Sequence, residues 1–286
     1  MHRRSYADDP GLCDRVFDLL GTWLEALPKQ RRLAERLDWR WEDTSTPFVF
    51  EEDGRVISHV GLLEVSYHVL GKELRVGGVH AVCTLAERRR RGLYRSIMDE
   101  LLDYCDARYE TLVLSTDDPY LYEPFGFRAV SEQQFVARVD SAGGGRGFRV
   151  LDACEPGDLA ILERLLRERV SVSDVVGVVR ERDVFKFNQA GGGVFYCEAL
   201  DLVGVFESDG DRLVVRDLVF REPVPLARIL REWADPVREV VLQFSPDRFD
   251  VDAVPEPPPP DEGVFMVRGP FAAEGRAFMI PPTARH

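Results

Sequence analysis

The chemistry-bearing residues of the chain are densest between Val79 and Leu102, VHAVCTLAERRRRGLYRSIMDELL. A strand pattern there runs into a basic loop, Arg88 to Arg91, then Gly92. From Leu93 onward Leu93, Ile97, Leu101, Tyr104 and Cys105 share one face at helical spacing. Such a handover suits an anion. The N–H groups from about Arg90 to Arg95 have no intrahelical partner, and the helix dipole adds partial positive charge beside them. Gly92 lets backbone approach a ligand closely. Arg89, Arg90 and Arg91 can place charge on phosphate oxygens. A pyrophosphate is the natural occupant, although the arginines taken alone read equally as a solvated basic surface. Cys83, on the strand, has no matched histidine or acidic orienter and is expected to be a buried structural thiol rather than a nucleophile. His59, His68 and His80 fall on strands without metal-ligand spacing, so no metal is expected. Trp39 and Trp41, flanking Arg40, suit an acceptor pocket as well as a core.

Periodicity supplies the elements that must hold these residues. Residues 11–27 place Leu12, Val16, Leu19, Leu20 and Trp23 on one helical face, and QRRLAERL continues as a second helix. Residues 46–85 read as three strands with hairpin turns at Asp53-Gly54 and Gly71-Lys72. The helix after Gly92, the strand TLVLST, a turn through DPYLYEPFGF and a final strand RAVSEQQFVARVD complete a first unit. SAGGGRG (141–147) reads as a linker. Beyond it the pattern recurs: a helix from Pro156, three strands within residues 192–220, the helix PLARILREWA and the strand REVVLQFSP. PEPPPP (255–260) is a rigid spacer, and GVFMVRGPF and RAFMIPP are expected to close with strands. The reading is an α/β fold with mixed sheets in two related units, residues 1–142 and 147–286.

With 286 residues, 45% hydrophobic and 30% charged, the chain is long enough to bury a real core. The net charge is −13, and both halves are acidic, which argues against a general nucleic-acid partner and favours cationic ones. No apolar run approaches the ~20 residues of a membrane span. MHRRSYADDPG lacks a signal-peptide core, and five scattered cysteines without a CxxC suggest reduced thiols in a cytoplasm.

The arginine–glycine loop resembles the acyl-CoA-binding motif of the GNAT superfamily of N-acetyltransferases, Arg/Gln-x-x-Gly-x-Gly/Ala between a strand and a helix. Here it is Arg89-Arg90-Arg91-Gly92-Leu93-Tyr94, with Tyr94 where the pattern has a small residue. Tyr122, Phe125, Gly126 and Phe127 resemble the family's Tyr-x-x-Phe-Gly-Phe signature. The arginine triplet with Arg95 and Met98 is most similar to the enhanced-intracellular-survival branch, whose tandem GNAT domains match the repeated pattern. That branch's sterol-carrier-like third domain is expected to be missing. The second unit lacks both motifs and is expected to be a degenerate, non-catalytic copy.

The resemblance implies acetyl-CoA as co-substrate and direct transfer of its acyl group to a neutral amine. Backbone N–H groups of Val82, Cys83 and Thr84 would bind the acyl and pantetheine carbonyls. Loop residues Arg89 to Arg95 would hold the pyrophosphate, and Tyr122 would protonate the leaving thiolate. Glu64, His80 and the terminal carboxylate at His286 stand as candidate bases. The expected acceptor is an amine on a small, cationic molecule. A protein Lys or N-terminal acetyltransferase and a non-catalytic acyl-CoA sensor are the alternatives, and homo-oligomerisation is left open.

Overall fold

Why the chain folds locally as it does is largely a matter of amphipathic helices and a hairpin-linked meander. The computed structural model describes residues 3–152 and 154–286. Helix α1 (Leu12–Gly21) buries Leu12, Val16, Leu19 and Leu20, and α2 (Leu27–Glu35) begins with Pro28 in its first turn. The first helix is therefore shorter than its apolar pattern suggests, and Trp23 stands outside it. A short α3 (Trp41–Thr44) leads into β1 (Thr46–Glu52), β2 (Arg55–Val69) and β3 (Lys72–Thr84), an antiparallel meander. Asp53 and Gly54 have φ of 51° and 75°, as a two-residue hairpin turn requires. The next turn is Leu70-Gly71, one residue earlier than the glycine position implied. Next come α4 (Leu93–Asp106), β4 (Leu112–Thr116), β5 (Arg128–Ala129) and β6 (Gln134–Ser141). The sheet is covered on both faces. Val49, Ile57 and Cys83 pack with α1, whereas Phe48, Val60 and Val79 pack with Ile97, Met98 and Leu101 of α4.

The second half contains β7 (Phe148–Val150), α5 (Pro156–Glu168), β8 (Val176–Val178), α6 (Arg182–Gln189), β9 (Val194–Cys197), β10 (Leu202–Asp209) and β11 (Arg212–Val219). It ends with α7 (Leu226–Glu232), β12 (Val237–Leu242), β13 (Val254–Glu256) and β14 (Val264–Arg268). Its core repeats the first: an antiparallel β10–β11 pair, a helical crossover through α7, and a parallel β11–β12 pair. β8 and α6 were not anticipated.

The sheets do not divide at the linker. One has the order β1-β2-β3-β4-β14-β5, with β8 on the end of β2, and the other β13-β6-β12-β11-β10-β9-β7. The expected final strand 128–140 is thus a correction. Only β5 stays with the first sheet, while β6 crosses to pair with β12 and β13. Its seat beside β4 is taken by β14, which pairs over five residues from Val264↔Thr116 to Arg268↔Leu112. Backbone pairing is satisfied equally well by either strand, and β14 brings the fully buried Met266 and Val267 to that interior position. RAFMIPP is no strand either; residues 277–286 run as an extended tail ending in a single 3-10 turn at Pro282–Ala284. The glycine linker is also not free chain, because the N–H groups of Gly144, Gly145 and Gly147 donate to carbonyls of Ala234, Trp233 and Glu232. Among the described residues no helix is long and apolar enough to cross a membrane.

Glu181, before α6, ties the halves together: its carboxylate accepts the backbone N–H of Ser66 on β2 at 2.8 Å. It forms no salt bridge among the described residues, and burial pushes its pKa from 4.5 up to about 8. The folded protein therefore keeps a proton that the unfolded chain releases, so stability falls as pH rises from about 4.5 to about 8 and is level beyond. Glu181→Gln, which keeps an acceptor for Ser66, is expected to melt with the parent near pH 5 and roughly 5 °C or more above it at pH 8.5. Thermal melts at the two pH values check this; an equal shift at both would contradict it.

Candidate active site

The site begins where two parallel strands part. β3 and β4 pair only at Gly77↔Leu112 and Gly78↔Val113, yet β3 runs on to Thr84 and β4 to Thr116. A β-bulge lies just past the point of divergence. His59 faces Cys83 and Gly61 faces His80, leaving Ala81 and Val82 together opposite Val60. Ala81 has φ of 50°. The fully buried His59 fixes it: Nδ1 lies 2.7 Å from the Ala81 carbonyl. A carbonyl only accepts, so Nδ1 carries the proton, and burial, by lowering the ring's pKa to about 4, keeps the imidazole neutral. A cavity of about 1090 Å³ opens between the parted strands and is lined by Val82, Cys83 and Thr84 among others. Past Gly78, no strand among the described residues covers the edge of β3 that faces away from β2. The Cys83 thiol turns into the core, 3.9 Å from the Leu19 carbonyl, and burial raises its pKa, which suits a structural thiol.

The basic loop forms one wall. Gly92 precedes α4 with φ of 79°, a left-handed conformation that only glycine adopts without strain. No side chain caps the helix, so the N–H groups of Leu93, Tyr94 and Arg95 lack intrahelical acceptors. Arg88 is held by Glu52 at 2.6 Å, and Arg89 Nε donates to the Thr84 carbonyl at 3.1 Å. Arg90 and Arg91 have no salt-bridge partner among the described residues. Arg90 lines the cavity, as do Arg88, Arg89, Gly92, Leu93, Tyr94 and Arg95; Arg91 does not. Tyr94, in the position of a small residue, joins the two motifs. Its hydroxyl donates to the Leu121 carbonyl at 3.2 Å, and its ring packs edge-on against Tyr122 and Phe125.

Tyr122 sits between two 3-10 turns, Pro119–Leu121 and Glu123–Phe125, and Gly126 with φ of 84° returns the chain toward β5. The N–H groups of Phe125 and Phe127 both point to the Tyr122 carbonyl, at 3.0 and 3.4 Å, which explains the spacing of the motif. The phenol is 6% exposed and lines the cavity, and burial pushes its pKa up to about 12. It is a protonated donor at neutral pH.

The far wall comes largely from the second half, and no motif announced it. Asp183 and Phe187 of α6, Glu262, Arg285 and His286 all line the cavity. RDVFKFNQ has helical periodicity, but nothing local says that it faces the parted strands. The tail is pinned by buried polar groups. Arg285 bonds Glu132 and Glu262, each at 2.8 Å, Thr283 donates to Asp217 at 2.6 Å, and the Asn188 amide donates to the Arg285 carbonyl at 2.8 Å. Of the candidate bases, Glu64 lies outside the cavity, in a separate hollow where it meets Arg75 and the Tyr109 hydroxyl. His80 lines the cavity, 2.9 Å from the Ser45 hydroxyl, and burial lowers its pKa well below 6.5. A Cβ on Gly61 would stand 2.5 Å from His80 Nε2, so glycine there makes room for the ring. The ring of His286 lies against Gly78. Trp39 and Trp41 are both core and cavity wall. Among the described residues no group of side chains could hold a metal ion.

In the second half the equivalent gap is plugged. Residues 169–174 lie between the ends of β11 and β12: Val170 N–H donates to the Phe220 carbonyl, Arg248 donates to the Ser171 carbonyl, and Ser173 donates to Asp247. Arg169 pairs with Asp217 at 2.9 Å, both almost fully buried.

Residues 11–130 match the family model described as an acetyltransferase (GNAT) domain. A probable N-acyltransferase from Enterococcus faecalis V583 superposes with a TM-score of 0.62 at 14% identity, over 93% of this chain and 71% of that one. Eis1 from Mycobacterium abscessus gives 0.55 at 14% identity, over 94% and 72%. A GCN5-related N-acetyltransferase from Kribbella flavida gives 0.53 at 16%, over 89% and 68%. At these identities the likeness is one of fold. No curated protein matches the chain in sequence.

The loop geometry separates two neighbouring arginines. Arg90→Glu is expected to weaken coenzyme A binding about tenfold or more at low salt, and less in ~0.5 M salt, where charge is screened. Arg91→Glu is expected to have the smaller effect. Calorimetric titration checks this, and equal losses in both variants would refute the assignment.

Proposed function

Because residues 11–130 carry a GNAT acetyltransferase domain, we propose that the protein is an acetyl-CoA-dependent N-acetyltransferase of the cytoplasm, acting on a small-molecule amine. One observation carries the reading: the parted edge of β3, the uncapped start of α4 and the Tyr122 phenol open into one cavity. The residues present fit the co-substrate. Arg90 and the N–H groups of Leu93 to Arg95 would hold its pyrophosphate. The edge from Val82 to Thr84 would take its carbonyls and offer dipoles to the oxyanion that develops there. The second half supplies a wall but no cradle of its own.

Tyr122 would donate its proton to the departing sulfur. A phenol pKa near 12 is unfavourable against a thiol of ~8.5 in water. Burial penalises the thiolate as well as the phenolate, so the gap narrows in place, and fixed positioning lowers the barrier further. His80 would take a proton from the amine side. Its neutral ring is a weak base, sufficient for a nitrogen already bonded to the acyl carbon, which is far more acidic than a free ammonium. Beside the arginines assigned to the co-substrate, the cavity is lined by Asp117, Asp118, Asp183 and Asp261, carboxylates that can attract a cationic acceptor.

Thiol release from acetyl-CoA across an amine panel tests the reading; tight coenzyme A binding without turnover on any amine would favour a sensor instead. Tyr122→Phe is expected to lower kcat by about 100-fold or more with coenzyme A affinity within about twofold of the parent; unchanged turnover would remove the acid role. Since protonating His80 abolishes its basicity and its pKa lies below 6.5, kcat/KM should fall on acidification only below that value. His80→Gln should lower kcat/KM and remove this acid limb, and an unaltered profile would exclude His80 as the base.

A further inference from the structure

The cavity has an aromatic side that the transfer chemistry does not use. Half-buried Phe187 presents its ring there, backed by the almost fully buried Trp39 and Trp41, whose ring centroids lie 5.0 Å and 5.7 Å from its own. The Trp41 Nε1–H is already spent on the Tyr6 hydroxyl at 2.9 Å, so that ring has no indole donor left for a ligand. Toward the mouth, Trp23 is 62% exposed and Leu24 42%. Six large apolar side chains are exposed among the described residues, and four of them, Trp23, Leu24, Tyr120 and Leu121, line this one cavity. Apolar surface concentrated in this way marks a ligand-binding groove. Charge sits beside it. Asp183 and Phe187 are four residues apart on α6, hence on one helix face, and both line the cavity.

We propose that the acceptor is a primary arylalkylamine: a flat aromatic ring seated against the half-buried Phe187 and the exposed Trp23 and Leu24, carrying its amine on a short alkyl arm. This rests on the N-acetyltransferase reading. Asp183 and the other lining carboxylates draw in the protonated form, and the stacked ring fixes the arm so that the nitrogen, once neutral, faces His80 and Tyr122. A polyhydroxylated or purely aliphatic amine would leave Phe187, Trp23 and Leu24 wet.

The test uses the full chain saturated with coenzyme A, titrated calorimetrically with tryptamine and with cadaverine, an aliphatic diamine. Tryptamine is expected to bind about tenfold tighter or more. Phe187→Ala and Trp23→Ala are each expected to weaken tryptamine about three- to tenfold while leaving cadaverine within twofold; Trp23, being exposed, can be changed without disturbing the fold. Equal or tighter binding of cadaverine, or indifference of tryptamine to both substitutions, would overturn the proposal. Turnover separates it from the reading beneath it. Acetylation of cadaverine but not tryptamine overturns the arylalkylamine assignment and leaves the transferase standing. A preserved binding preference with no turnover of tryptamine, cadaverine or any other amine of the panel sustains the aromatic site and overturns the transferase.

Discussion

The exposed stretch of β3 in the site is shaped by one hydrogen bond, from the buried His59 imidazole to the carbonyl of Ala81. It stabilises a residue with φ of 50° inside a strand, where an alanine would not otherwise remain. β3 has by then left the line of β4, with which it shares only two paired residues, Gly77 and Gly78. Past Gly78 the edge of β3 that faces away from β2 has no partner strand among the described residues, so its backbone groups are left to face the cavity. Burial at once keeps His59 neutral and fixes which nitrogen donates, so the bond needs no counterion.

The two halves show what happens when the same topology is used differently. Each has an antiparallel pair, a helical crossover and a parallel strand. In the first half the gap between parallel strands stays open. In the second it is filled by residues 169–174, with Arg169 and Asp217 paired in the dry interior. A buried ion pair contributes little net stability against an apolar alternative, but breaking it by removing one partner is costly. That gap is therefore closed to ligands.

The halves are also not separable bodies. β6 belongs to the second sheet and β14 to the first, so each sheet is completed by chain from the other half. The tail from Phe278 onward passes between them, with Arg285 neutralising Glu132 and Glu262 at the cavity wall. A wall made by α6 and the tail, opposite a cradle made by α4, is then held at fixed distance rather than by a flexible hinge.

The sequence by itself determined the local elements and the basic loop that opens α4. The meander from Thr46 to Thr84, α4 behind Gly92, and the turn that carries Tyr122 all follow from short-range rules of periodicity, turn stereochemistry and helix ends, and these were legible. So were the arginine loop and the burial of Cys83. Only the tertiary structure decided which strands pair, because apolar alternation fits a strand to a sheet but does not name its neighbour; hence the exchange of β6 and β14. It also decided that Glu64 and Arg91 lie outside the cavity lining, and that Asp183 and Phe187, distant from the loop in sequence, help supply its far wall. Those outcomes rest on contacts between distant segments, whose closure depends on the packing of the entire chain rather than on any spacing within it.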